Sequence, residues 1–358
     1  MRVLDIALHR LQNQQIVRPK FKRAAEIVSW LGAVQAQDFP GAKWSVGLRL
    51  PGATDTAIEQ ALADRSVIRT WPMRGTLHFV AAADVRWMLA LLTPRIIARS
   101  AGRLKELELD DKVFARCGKL LIRALQGGKQ LSRPALLAMF EAARISTTGQ
   151  RGYHILWRLA QEGLICFGAR EGKHQTFVLL DEWVPARATF EREKVLAELA
   201  ARYFTGHGPA TLQDFIWWSG LKTVDAKTAL DLVTSRLVRE EVDGKIYWMP
   251  PDQPALDSAR RAVHLLPGFD EFMLGYTDRS ASLDLQYSGR ICPHSNGSFS
   301  PVIVIGGRVV GVWKRTLKKD AVLIEATPFK SFNQTQKKAI AAAAKLYGQF
   351  LSLPATLS

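Results

Sequence analysis

One order of elements occurs twice along the chain. VFARCGKLLIRALQGG, from Val113, carries apolar residues at helical spacing and ends at Gly127-Gly128. Ser132 is a good N-cap for a second helix, SRPALLAMFEAA, with Pro134 in its first turn. A third helical stripe, QRGYHILWRLAQEG, stops at Gly163. LICFGAREGKHQTFVLL then reads as two β-runs around a polar tip, Ala169 to His174. The second occurrence spans Glu191 to Met249. EREKVLAELAARYF is its first helix, Thr211 caps TLQDFIWWSG, Gly220 makes the tight turn, and TVDAKTALDLVTSR is the third helix. LVREEVDGKIYWM closes it as a hairpin turning at Asp243-Gly244. Helix, helix, helix, hairpin is the order of a winged helix-turn-helix module. Two small helical domains with no nucleic-acid role would show the same order, so the pattern needs a second signal.

The flanks differ. Before about residue 110, RAAEIVSWLGAV, ATDTAIEQALAD and ADVRWMLALLTPRIIARSAG read as helices, and VIRTWPMRGTLHFV as a β-rich run resembling another wing. After Pro250 the chain turns β-rich through AVHLLPGFDEFMLGY and SPVIVIGGRVVGVWKRTLKKDAVLIEATPF, with a hairpin at Gly306-Gly307. An amphipathic helix, FNQTQKKAIAAAAKLYGQFL, follows. The expected fold is α+β: tandem winged helix-turn-helix modules with a C-terminal β-rich segment. The expected domains are 1–110, 111–185, 186–250 and 251–358.

Charge supplies the second signal. The 358 residues hold 49 Lys and Arg against 33 Asp and Glu, a net +16. Such a balance calls for a polyanionic partner, nucleic acid or an anionic membrane surface. No apolar run reaches the roughly 18 residues that span a bilayer, and MRVLDIALHRLQNQQ lacks the pattern of a signal peptide. A cytoplasmic protein, nucleoid-associated when bound to DNA, is expected. Cys117, Cys166 and Cys292 are far apart and form no metal or disulfide pattern. The seven histidines are scattered and match no metal box, and no P-loop, GxGxxG or GxSxG is present. Neither a cofactor nor a metal is expected.

Several residues are candidates for DNA contact. The third helix of such a module usually enters the major groove. Arg151, His154 and Arg158 lie on one face of QRGYHILWRLAQEG, a pattern that fits phosphate contact and equally a solvated basic face. Lys173 lies in the wing beside Arg170 and His174, and Arg74 in VIRTWPMRGTLHFV. Lys314 and Arg315, with Lys318 and Lys319 nearby, adjoin Trp313, which suits backbone contact with stacking, or a charged strand edge. Asp270 and Glu271, adjacent in PGFDEF, would face opposite sides of a strand and so make no obvious catalytic pair; burial of one against an arginine and a role at a site both fit. Gln35-Ala36-Gln37, before Asp38 and Pro40-Gly41, could turn two neutral amides to one target if the segment is extended. By itself it also fits a polar helix end.

VQAQDFPGAKWSVGLRL, RTWPMRGTLHFV, GPATLQDFIWWSGL, LLPGFDEFMLGY and NGSFSPVIVIGGRVVGVWKR together resemble the AlkZ-like family of winged-helix DNA glycosylases, in order and over nearly the whole chain. The resemblance implies three tandem winged-helix modules around a concave DNA-binding channel, and excision of alkylated purines, especially N7-alkylguanine and interstrand crosslinks. The family's catalytic glutamine-apolar-glutamine motif falls on Gln35 and Gln37. A sister group carries Asp at the second position, and keeping Gln37 is similar to the crosslink-unhooking branch. Asp38 and His78 are supporting candidates.

Chemistry fits two amides. N7-alkylguanine is already cationic, so its glycosidic bond breaks without a strong acid. What remains is to hold a water near C1′ and to favour an oxocarbenium-like sugar. An amide oxygen can do both. The expectation is a monofunctional, monomeric DNA glycosylase acting on double-stranded DNA with alkylated bases, and not on membranes. The alternative is a non-catalytic winged-helix DNA-binding protein or transcription regulator.

Overall fold

Side-chain caps and left-handed turn residues set the element ends between about 110 and 250. Asp110 accepts the Val113 N–H and opens helix Asp111–Leu125, which the chain leaves through Gly127 and Gly128, both at positive φ. Ser132 accepts the Ala135 N–H and opens Arg133–Ala142. Helix Arg151–Gln161 follows, then the antiparallel strands Ile165–Phe167 and Thr176–Leu179, with Leu131–Ser132 paired to the second. Further on, Thr211 and Asp214 form a capping box at helix Leu212–Ser219, and Gly220 ends it at φ 71°. Helix Thr223–Asp231 leads to the hairpin Val238–Val242 with Lys245–Met249, turning at Asp243-Gly244 with φ of 49° and 72°.

The computed structural model describes residues 3–185, 190–252, 255–293 and 297–358. The boundary expected between 185 and 186 borders residues 186–189, which lie outside the described residues. Internal contacts group the chain into two compact units, one of residues 59–195 and one of residues 1–58 with 196–358. Among the described residues no helix is long and apolar enough to cross a membrane.

The unit 59–195 holds the hairpin Val67–Met73 with Thr76–Ala81, the long helix Val85–Arg99 and the elements from Asp111 to Leu179. Its core gathers Trp71, Phe114, Leu121, Phe140, Leu156, Ile165 and Phe177. Trp71 brings the hairpin into this core, 5.1 Å from the Phe167 ring. Cys117 and Cys166 are buried free thiols, and burial pushes both up, Cys117 to about 11. They are inert filling, not nucleophiles.

The other unit is built on a five-stranded sheet. Its order is Ala355–Leu357, Val322–Pro328, Arg308–Leu317, Val302–Ile305, Val263–Leu266. Only the pairing of Ala355–Leu357 with Val322–Pro328 is parallel. Gly306 and Gly307, at φ 54° and 80°, turn the central hairpin. Helix Gln334–Leu351, with a capping box at Asn333 and Gln336, packs on helix Phe39–Gly47 through aromatic rings. Trp44 lies 5.0 Å from Tyr347 and 5.1 Å from Phe350, and donates its indole N–H to Leu265 O. Gly47 permits this approach, because a methyl there would sit 2.3 Å from the Phe350 ring.

The β-run expected across Asp270 and Glu271 is corrected. The strand stops at Leu266, Phe269 adopts φ 63°, and Asp270 caps a short helix, Glu271–Leu274, by accepting the Phe272 N–H. Both carboxylates are fully buried instead of facing opposite sides. The pairing with an arginine that the sequence allows is present: Arg49 donates to the two Asp270 oxygens at 2.8 and 2.9 Å, and Ser45 Oγ adds a bond at 2.6 Å. Arg49 also donates to Gln14 O and Ser45 O, so little of its donor capacity is left unmet.

Removing one partner of a buried pair strands the other's charge. Asp270→Asn should therefore destabilise the protein by about 3–5 kcal/mol, read as a lower urea midpoint. A shift below about 1 kcal/mol would show that the Arg49 charge is otherwise compensated. His264 supplies a pH prediction. Burial first, and then Arg49, pulls its pKa down to about 4 from 6.5. Between those values the unfolded chain binds the proton and the folded one does not, so this contribution to stability is full above pH 6.5 and is lost as pH falls toward 4. His264→Gln should be less acid-sensitive than wild type across that window. Parallel unfolding curves for both proteins would contradict this.

Candidate functional site

In the unit 1–58 with 196–358, the glutamine segment joins helix Ala24–Trp30 to helix Phe39–Gly47. Val34–Gln35 is a short strand, Ala36 is fully buried, and the chain bends at Gln37 and Asp38. Pro40 in the first turn fixes where the next helix begins. Gln35 is buried and Gln37 exposed, so the two amides have unequal access to solvent.

Both ends of this segment are tied to residues far along the chain. At its start, the Gln35 N–H donates to Glu271 Oε1 at 3.2 Å. Glu271 Oε2 accepts the Trp218 indole N–H at 2.9 Å and lies 3.3 Å from His207 Nε2. At its end, Arg315 Nη2 donates to the two Asp38 oxygens at 3.3 and 3.1 Å. Asp38 occupies the N-cap position but makes no side-chain cap. Its carboxylate lies over Gly41, where an added methyl would sit 2.4 Å from Oδ2.

Arg315 and Lys314 alternate on strand Arg308–Leu317. Arg315 turns toward Asp38, and Lys314 is exposed opposite Glu325. Lys318 and Lys319 are exposed where this strand turns back. The stacking role considered for Trp313 is corrected. It is only 1% exposed and donates its indole N–H to Leu266 O at 2.8 Å, so no base can reach its face.

The other candidates lie in the unit 59–195. His78 is fully buried, with Nδ1 at 2.9 Å from Thr76 O. That contact places the proton on Nδ1, and Nε2 then accepts from Arg74 Nη2 at 3.3 Å. Arg74 itself forms the hairpin turn with Gly75, at φ 54° and 75°. Arg151 donates to the carbonyls of Ser146, Leu107 and Glu108, and so closes the end of the preceding helices. Arg158 pairs with Glu162 at 2.7 Å and covers the Phe114 ring. Lys173 stands at an exposed tip bridged by Glu171 and His174. Gln35, Gln37 and Asp38 thus follow one another in a single segment with Arg315 bonded to Asp38, and Arg74 is bonded to His78.

The DNA glycosylase AlkZ-like family matches residues 28–350. This chain belongs to that family. Its sequence is 26% identical over 348 residues to the interstrand DNA cross-link repair glycosylase of Streptomyces sahachiroi, covering 92% of this chain and 91% of that one. The solved structure of the Streptomyces sahachiroi DNA glycosylase AlkZ superposes with a TM-score of 0.81 at 22% identity, over 100% of both chains. The α+β fold is therefore that of the AlkZ-like glycosylases, and DNA is the partner that membership implies.

Sequence reasoning missed what holds the Gln35–Asp38 segment in place. Glu271 and Arg315 are 236 and 277 residues away from their partners, and no spacing rule reaches that far. The one available signal was a pair of carboxylates set among apolar residues in PGFDEFML.

If the Asp38–Arg315 bridge orients the segment, Gly41→Ala should displace Asp38 and lower base excision roughly tenfold, a loss of ~1.4 kcal/mol in the barrier. Asp38→Ala should lose about as much, and the double variant little more than the larger single. Single-turnover excision assays check this, and a wild-type rate in Gly41→Ala would show that the carboxylate's placement is irrelevant.

Proposed function

We propose that this glycosylase hydrolyses the N-glycosidic bond of cationic alkylated purines in duplex DNA, the N7-alkylguanine class and its interstrand crosslinks, and leaves an abasic site. The observation that carries the reading is the Gln35-Ala36-Gln37 segment, which leaves a strand, buries Ala36 between two amides, and is tied at both ends. Its relative from Streptomyces sahachiroi is named for interstrand cross-link repair, which supports the same substrate class.

The roles follow from what an amide can do. Gln37 is exposed, and its oxygen can accept from a water aimed at C1′. Gln35, more enclosed, directs its dipole at the sugar as positive charge develops there. Glutamine takes up no proton at neutral pH, so the site suits a leaving group that departs neutral from a cationic state. Asp38 acts as an anchor, because its charge is matched by Arg315. An amide, unlike a lysine amine, cannot form an imine with the sugar, so the reaction we propose is monofunctional.

Binding rests on the net +16. The helix-and-hairpin runs 111–185 and 186–250 act as winged-helix modules, with a third in 1–110 and the β-rich segment after 251. Lys314, Arg315, Lys173, Arg74, Arg151 and Arg158 are the cations proposed to face phosphate. For Arg151, Arg158 and Arg315 that role is secondary to the internal partners described above. The enzyme works as a monomer on cytoplasmic, nucleoid DNA.

Gln37→Ala and Gln35→Ala should each lower excision of N7-methylguanine by roughly ten- to a thousandfold, the scale of a lost dipole or water ligand. Duplex binding should change little, and the double variant should lose less than the product of the two. The neutral lesion 8-oxoguanine should resist the wild type. If both single variants excise N7-methylguanine at the wild-type rate, the catalytic assignment fails. Affinity for undamaged duplex should also fall steeply with salt, and a flat log-log plot would remove phosphate contact as its source.

A further inference from the structure

We propose that Glu271 is a positioning residue for the glutamine motif, acting through the backbone of Gln35; this rests on the catalytic reading of Gln35 and Gln37. Glu271 is fully buried, and an isolated buried carboxylate costs several kcal/mol. Its two oxygens are oriented by different parts of the fold. Oε2 faces the Trp218 indole N–H at 2.9 Å and His207 Nε2 at 3.3 Å. Those rings are themselves packed: His207 stacks on Tyr203 at 4.9 Å, and Trp218 lies 5.2 Å from His207. Oε1 accepts the Gln35 N–H at 3.2 Å. The preceding residue, Asp270, holds Ser45 of helix Phe39–Gly47 and Arg49 just beyond its end. One dipeptide therefore grips the chain on both sides of Gln35–Asp38: Glu271 at its start, and Asp270 at the helix that follows.

A carboxylate is suited to this post because the three groups around it are donors when His207 carries its proton on Nε2. An amide offers one oxygen and one NH2. In Glu271→Gln, the oxygen can serve Trp218, which turns the NH2 against the Gln35 N–H. The reverse rotamer sets the NH2 against the indole N–H. Either way a donor–donor contact shifts the Gln35 backbone or the Trp218 ring. A displacement of ~1 Å at a reacting group is worth roughly a hundredfold in rate. Replacing the indole as well, in Glu271→Gln with Trp218→Phe, removes the competing donor. The amide oxygen is then free for Gln35 N–H and the NH2 can turn to His207 Nε2 in its acceptor tautomer.

The test compares single-turnover excision of N7-methylguanine duplex with the affinity for undamaged duplex. Glu271→Gln should excise about ten- to a hundredfold more slowly, with affinity unchanged within about twofold. Glu271→Gln/Trp218→Phe should recover to within about threefold of wild type. A wild-type rate in Glu271→Gln overturns the proposal. So does a parallel loss of affinity, or a rate that stays low in the double variant, since either indicates general damage to the core. Should neither variant fold, hydrogen exchange at the Gln35 amide of the wild type decides: protection like that of the sheet amides supports the proposal, and exchange at an open-loop rate overturns it. Gln35→Ala and Gln37→Ala run alongside. If they lose excision and Glu271→Gln does not, only the positioning role fails; if they excise normally, the catalytic reading fails and the positioning role with it.

Discussion

Burying two adjacent carboxylates is the constraint from which the order of the larger unit follows. Neither Asp270 nor Glu271 is tolerable in a protein interior unless its charge is met by strong donors in good geometry. Asp270 is met by Arg49 and Ser45, and Glu271 by the Gln35 N–H, Trp218 and His207. The donors come from residues 35–49 and from residues 207–218, while the carboxylates come from the stretch after the first sheet strand. Forming the pairs therefore requires three separate stretches of chain to be in place together. That is the physical content of a compact unit in which residues 1–58 belong with residues 196–358.

The same constraint explains how a weakly polar motif can be given a definite direction. The segment Gln35–Asp38 has no regular structure beyond its first residue, and a free loop of this kind would sample many geometries. It is held by charge-assisted bonds at both ends, with Glu271 on its backbone and Arg315 on Asp38. On the proposed mechanism this matters more than acidity or basicity. Two neutral amides contribute by where their dipoles point, and a dipole that must reorient during the reaction contributes little. Rigidity of support and mildness of chemistry are then two sides of one design, suited to a base that is already positively charged.

Much of the chain was legible in advance. The caps at Ser132 and Thr211, the glycine exits at Gly163 and Gly220, and the turns at Asp243-Gly244 and Gly306-Gly307 all stand where local chemistry places them. The resemblance on five motifs led to the family that the comparison bears out. Elsewhere the reading erred where tertiary demands overrode local pattern. The apolar run through Asp270 reads as strand, yet Asp270 caps a helical turn because its carboxylate is already turned to Arg49 and to the Phe272 N–H. Trp313 beside two cations reads as a stacking platform, yet it fills the core, because alternation along a strand sends Trp313 and Lys314 to opposite faces. Arg315, a candidate for phosphate contact, has in addition a partner that local pattern does not show, Asp38.

What the sequence by itself determined is therefore its net positive charge and whatever depends on neighbours within a few positions: helix ends, hairpin turns and the spacing of the two glutamines. The charge is a sum over composition, and the local features follow from backbone geometry and side-chain chemistry that act within one turn of chain. The tertiary structure alone decided which charges are free and which are matched. Arg49 meets Asp270 across 221 residues, and Arg315 meets Asp38 across 277. Such pairs form only when distant elements share a core, because burial makes an unmatched charge costly and selects, from all the cations in the chain, the ones that the fold delivers.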